Sequence, residues 1–165
     1  MSAPTTATTL VRNVESAERR WFAGGGVHTW LAKAQDTGGT FLLCEMTMDQ
    51  GKATPLHTHP ADETLIVLEG ELVLHLDGAE QSVRAGGVAI APAGVPHAFL
   101  VTTGPARMLC LHTPGTCEAF YLGASEPIDA MTTTGVVDFD RVAMSARANG
   151  GIELLGPPPF TQPSA

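Results

Sequence analysis

The stretch GKATPLHTHPADETLIVLEG, residues 51–70, decides how the rest of the chain is read. In an extended segment residues i and i+2 point to one face, with α-carbons about 6.6 Å apart. His57 and His59 therefore aim two imidazoles at one volume. Pro60 cannot donate to a strand ladder and turns the chain, so Glu63 returns on the next strand. It shares a face with Leu65 and Val67, which carries its carboxylate into an apolar interior. An unpaired buried carboxylate is costly, and coordination to a cation is one of the few ways to hold it there ionised. A fourth donor stands in GGVAIAPAGVPH, residues 86–97. There the Pro92-Ala93-Gly94 turn reverses the chain and starts a strand with His97, Phe99 and Val101 on one face.

These two stretches resemble the two motifs of the cupin superfamily. The first is similar to G(x)5HxH(x)3–4E(x)6G, with each spacing met from Gly51 to Gly70. The second is similar to G(x)5PxG(x)2H(x)3N from Gly86 through Pro92, Gly94 and His97, departing only where Val101 replaces the final Asn. Fifteen residues, Glu71 to Ala85, separate them, the short spacing of compact single-domain members. The resemblance implies an all-β double-stranded β-helix, a cupin jelly-roll barrel. It also implies one divalent transition metal held by His57, His59, Glu63 and His97. Three imidazoles and a carboxylate suit Fe, Ni, Mn, Co or Zn alike.

Working outward, the hydrophobic pattern predicts about eight or nine short strands with turns between them, as in an antiparallel barrel. Strands are expected over 27–34, 41–48, 63–68, 71–76, 81–84, 88–91, 97–102 and 107–113. Glu69-Gly70 and Asp77-Gly78 read as the turns between neighbouring strands, the Asp-Gly pair being a strong hairpin signal. In FLLCEMTM, Leu42, Cys44, Met46 and Met48 fall on one face and Phe41, Leu43, Glu45 and Thr47 on the other. Beyond Pro114 the character changes. Residues 137–148 read as a helix with Asp138 as N-cap, Gly150-Gly151 as its stop, and Val142 and Ala146 facing the barrel. The expected organisation is a mobile or exchanged N-terminal arm over 1–25, a barrel over 26–115, and a C-terminal extension over 116–165.

The balance of nine Lys plus Arg against seventeen Asp plus Glu gives a formal charge of -8. That argues against a nucleic-acid or anionic-membrane partner, either of which favours a basic patch. No apolar run approaches the roughly 20 residues of a membrane helix, and MSAPTTATTL lacks the basic flank and apolar core of a signal peptide. A cytoplasmic protein is the expectation, and a homodimer associating through barrel edges or terminal strands. Cys44, Cys110 and Cys117 show no CxxC spacing and read as two buried small apolar residues and a loop thiol.

The resemblance implies a small-molecule substrate. The segments PGTCEAF (114–120) and GIELLGPPP (151–159) look like the tails of single-cupin proteins of the quercetin 2,3-dioxygenase-like kind. A metal-dependent dioxygenase acting on an enolic or flavonol-like aromatic substrate is therefore expected, with Glu63 as catalytic base. The alternatives are a metal-dependent isomerase, cyclase or lyase, with Glu63 or His112 moving a proton, and a ligand-binding cupin without turnover. Among the remaining residues, His28 and Trp30 share a face that can line a pocket. Phe41, Met46, Met48, Phe99 and Cys110 are barrel-lining candidates. His75 reads as exterior, His112 as solvent-facing or hydrogen-bonded, and Glu45 as a surface group.

Overall fold

Ten strands, joined antiparallel throughout, carry the chain in a computed structural model that describes residues 8–128 and 136–161. The strands are β1 (Glu18–Phe22), β2 (Gly26–Ala32), β3 (Leu42–Met48), β4 (Leu56–Thr58), β5 (Asp62–Leu76), β6 (Ala79–Arg84), β7 (Val88–Ala91), β8 (His97–Thr113), β9 (Ser125–Pro127) and β10 (Glu153–Gly156). Helices α1 (Glu118–Gly123) and α2 (Phe139–Asn149) follow the barrel strands. The neighbour order β10-β4-β8-β3-β2-β1-β9 continues from β8 onto β5, which also pairs with β6 and β7. This is a double-stranded β-helix with a short helical extension.

Two long strands replace four short ones. The predicted breaks at Glu69-Gly70 and after Thr102 are bends inside β5 (15 residues) and β8 (17 residues), which pair with one another along their lengths. Their register shifts between Val67 and Leu72, at the corner where both strands turn from one face of the barrel to the other. Gly70 makes that corner. Its φ is 80°, and a Cβ there would lie 2.4 Å from the Thr103 carbonyl oxygen and 2.9 Å from Ala106 Cα. Gly70→Ala adds a left-handed penalty and a backbone clash. It should cost about 3 kcal/mol and lower the melting temperature by about 10 °C; a thermal melt within 2 °C of wild type would contradict this account.

Asp77 and Gly78, with φ of 47° and 83°, form the expected hairpin between β5 and β6. The alternation read in β3 is present, Leu42, Cys44, Met46 and Met48 being buried and Leu43, Glu45 and Thr47 less so. These residues join Trp30, Leu65, Val67, Leu72, Leu74, Phe99, Val101 and Met108 in the main core. Val101 is 1 % exposed, and its backbone bonds to Gly51 and Lys52, so an apolar side chain suits the position where the motif carries Asn. Phe41 departs from expectation. It precedes β3 on the outer face with Leu43, in a surface groove lined also by Leu31 and Thr37.

The segment before Gly24 contains β1, which the hydrophobic pattern does not place. ERRWF lacks clean alternation, and the strand is held by pairing with β2 and β9 and by Arg20, whose guanidinium donates to Ser125 Oγ at 2.8 Å and Ser125 O at 2.9 Å. Helix α2 begins as predicted, Asp138 accepting from the Arg141 backbone N–H at 3.0 Å. Its Val142, 2 % exposed, packs with Ala23 and Phe120 in a second small core, against which Phe22, Tyr121 and Ala146 also lie. This core fixes the extension against the β1–β2 end of the barrel. Cys117, read as a loop thiol, is instead buried beside α1 with Sγ 3.2 Å from Gly151 O, and all three cysteines are free and buried. No helix among the described residues is long and apolar enough to cross a membrane.

Candidate metal centre

His57 sits on β4, His97 opens β8, and the two are register partners, so their rings lie side by side at a 55° tilt with centroids 4.2 Å apart. His59 lies in the turn after β4. The Pro92–Gly94 turn is docked on it, Gly94 N–H donating to His59 O at 2.9 Å and Ala93 N–H to Asp62 Oδ1 at 2.8 Å. That docking delivers His97 to the same place. Glu63, on β5, faces His112 across the β5–β8 pair. One donor atom from each of His57, His59, Glu63 and His97 falls within a set no more than 4.8 Å across, and all four side chains are buried. Donors on opposite sides of a first-row ion stand about 4 Å apart, so small rotations close the set around one ion.

The backbone prepares the three rings for that use. His57 Nδ1 donates to Pro55 O at 2.7 Å, His59 Nδ1 to Ala61 O at 2.7 Å, and His97 Nδ1 to Val95 O at 2.8 Å. Such bonds fix the tautomer and turn each Nε2 lone pair inward, as at metal-ligating histidines. His59 Nε2 and His97 Nε2 then face Glu63 Oε2 at 2.9 and 3.3 Å. Lone pairs and a carboxylate oxygen at these distances repel unless a proton or a cation stands among them. The residues present fit a divalent metal.

The electrostatics agree. Burial, with His97 alongside, pushes His57 down to about 4, which keeps it a neutral ligand at neutral pH. Burial alone would lower His97, but its bond to Glu63 outweighs this and raises it. Burial opposes ionisation of Glu63; hydrogen bonding with His59 and His97 overcomes it and holds the carboxyl well below the usual range. Beside the cluster opens a small cavity of about 50 Å³, walled by Phe22, Met46, Met48, Phe99, Val142 and Tyr121. His57, Glu63, His28 and Thr54 add polar points, as does the phenol of Tyr121.

The other candidates separate. His28 lines this cavity, stacked on Phe22 at 4.8 Å, whereas Trp30 lies in the core behind it. Met46, Met48 and Phe99 face the cavity, and Cys110 packs in the core. Glu45 reaches an outer ion pair with Arg107 at 3.2 Å. His75 is half-buried on the face opposite Leu72 and Leu74. His112 is not solvent-facing. It is fully buried, with Nε2 3.1 Å from Tyr121 Oη and 3.4 Å from Glu63 Oε2. The motifs end before residue 112, and only the β5–β8 register reveals this contact. Sequence reasoning misses Tyr121 altogether, because nothing in the alternation of the strands extends to α1.

A double-stranded β-helix whose interior end gathers three imidazoles and a carboxylate defines a cupin, and the cupin domain family matches residues 44–112. The chain is a small cupin. Among curated proteins it is similar to quercetin 2,3-dioxygenase of Bacillus subtilis (strain 168), 32% identical over 121 residues, which are 73% of this chain and 35% of that protein. The chain thus spans about a third of that relative's length. Among solved structures, the polyketide cyclase RemF from Streptomyces resistomycificus superposes with a TM-score of 0.55 at 25% identity, over 64% of this chain and 80% of RemF. KdgF from Halomonas sp. shares the fold, with a TM-score of 0.59 at 17% identity, over 65% of this chain and 94% of KdgF.

Proposed function

We propose that the protein is a metal-dependent dioxygenase acting on a small enolic or aromatic, flavonol-like substrate, with His57, His59, Glu63 and His97 holding the metal and Glu63 doubling as the base. The observation that carries this reading is the position of Glu63. Its carboxylate lies among the inward-facing imidazoles and also lines the apolar cavity. Bound among these donors, a divalent transition metal supplies Lewis-acid activation of the substrate's hydroxyl and brings it together with dioxygen.

The chain's own residues do the rest. Glu63 accepts the proton of the substrate hydroxyl, leaving an electron-rich enolate, and His59 and His97 bear on its second role through their contacts with Oε2. Phe22, Met46, Met48 and Phe99 exclude water and hold an aromatic ring by area and shape. At about 50 Å³ the cavity takes a water or two, so a ring-sized substrate enters by displacing flexible side chains such as Met46 and Met48. The similarity to quercetin 2,3-dioxygenase over most of this chain supports the oxygen-using reading.

A second reading, a cyclase or isomerase using the same site without oxygen, is favoured by the similarity to RemF at 25% identity. One experiment separates the two. Freshly purified protein is assayed for metal by elemental analysis, then incubated with flavonols and other ortho-hydroxylated aromatics in an oxygen electrode. Oxygen uptake with metal present is the expected outcome. Conversion that proceeds equally under nitrogen moves the assignment to the second reading, and metal-loaded protein that takes up no oxygen removes the first.

A further inference from the structure

Tyr121 lies on α1, outside the barrel, yet its ring closes the wall of the cavity onto which Glu63 and His57 open. Its hydrogen-bond partner among the described residues is His112, with Oη 3.1 Å from Nε2, and that same nitrogen lies 3.4 Å from Glu63 Oε2. The direction of this bond follows from what surrounds the histidine. His112 is completely buried, and its Nδ1 meets no hydrogen-bond partner among the described residues. A proton on Nδ1 would leave a buried N–H unsatisfied and set the bare lone pair of Nε2 against a carboxylate oxygen. A proton on Nε2 points at both Glu63 Oε2 and Tyr121 Oη and leaves only an acceptor lone pair unmet. A doubly protonated ring has the same hydrogen at Nε2. In both favoured states His112 donates and the tyrosine oxygen accepts, so the phenol's own hydrogen is free to turn into the cavity.

We infer that Tyr121 is a substrate-binding residue whose O–H donates to a second oxygen of the ligand, adjacent to the oxygen that Glu63 deprotonates. The inference rests on the reading of the site as one that ionises an enolic or phenolic hydroxyl. It narrows the substrate class to molecules with vicinal oxygens, α-hydroxy-ketones of the flavonol kind or ortho-diphenols. Burial holds the Tyr121 phenol well above its ordinary value, so the donated hydrogen stays in place across the neutral range. The ring makes T-shaped contacts with His28 and Trp30, centroids 5.4 and 6.1 Å apart, which hold the direction of Oη.

The test uses zinc-loaded protein, in which the metal has no redox chemistry, and two probes whose absorbance reports ionisation, quercetin and 4-nitrocatechol. Tyr121→Phe should weaken binding about tenfold and raise the pH at which the bound probe ionises by about one unit, because a lost donor destabilises the anion more than the neutral form. Loss of packing alone would weaken binding and leave the ionisation pH where it was. Tyr121 is the chain's single tyrosine, so growth on 3-fluorotyrosine labels this position without mutation. Its fluorine resonance should move on addition of either probe, and the more acidic phenol should lower the bound probe's ionisation pH. If quercetin fails to bind while 4-nitrocatechol shows the Tyr121 dependence, the flavonol reading falls and the inference stands. If both probes bind and neither the ionisation pH nor the fluorine signal responds, the inference is overturned and the dioxygenase reading is untouched. Binding of neither probe overturns both.

Discussion

Glu63→Gln is expected to lower oxygen uptake about 1,000-fold, within the usual range for loss of a general base. The amide keeps the size of the side chain and its reach toward His59 and His97, now 2.9 and 3.3 Å from Oε2. It removes the charge that, in the proposed mechanism, accepts the substrate proton and offsets a divalent ion. The variant should therefore also retain less metal, by elemental analysis, while its barrel core of Leu65, Val67 and Leu72 stays packed and its far-ultraviolet dichroism unchanged. Uptake within threefold of wild type would remove Glu63 from the proton transfer. A reduced rate that recovered fully on adding excess metal would leave it only a ligand.

The second large effect concerns acid. Burial pushes His28 down to about 3, and His57 and His112 down to about 4 each. A folded-state value below the unfolded one means that the unfolded chain takes up the proton first. Stability is intact above about pH 6.5 and falls as the pH drops toward 4. A tenfold difference in proton affinity between the folded and unfolded chain is worth about 1.4 kcal/mol. The three rings together therefore withdraw on the order of 5 kcal/mol over two pH units, comparable with the whole stability of a small domain. Glu63, held low, adds to the loss at the acid end. His97, raised, acts in the opposite sense, stabilising below its unfolded value and losing that contribution as pH rises. Chelator-treated protein should unfold cooperatively between pH 6 and 4, and His28→Phe should reduce the proton uptake on unfolding by about one. Acid denaturation with the same midpoint and slope in both proteins would refute the burial argument for His28.

The sequence and the structure part company where contacts are long in sequence. His57, His59, Glu63 and His97 stand out from the chain alone because local rules act on them: alternation in an extended segment, a proline that ends it, and a Pro-Ala-Gly turn that starts the next strand. The structure gathers their donors within 4.8 Å. The bends in β5 and β8 read as breaks because a glycine such as Gly70 punctuates a strand and a hairpin in the same way, and only the pairing between the two strands distinguishes them. β1 carries no alternation of its own; its place depends on β2 and β9. His112 and Tyr121 come together across a strand end and a helix, 3.1 Å apart, a meeting that no periodicity records.

The cavity wall draws on two parts of the chain under different constraints. The barrel supplies the four inward donors, gathered from β4, β5, β8 and the turn after β4. Tyr121 on α1 and Val142 on α2 come from beyond the barrel and are anchored by the small core around Phe120. The wall is thus shared: Met46, Met48 and Phe99 belong to barrel strands, whereas Tyr121 and Val142 can vary without touching a donor's strand. New ligand preferences can be sought by recombining residues 116–161 among related chains, with the barrel and its donors left as a fixed chassis.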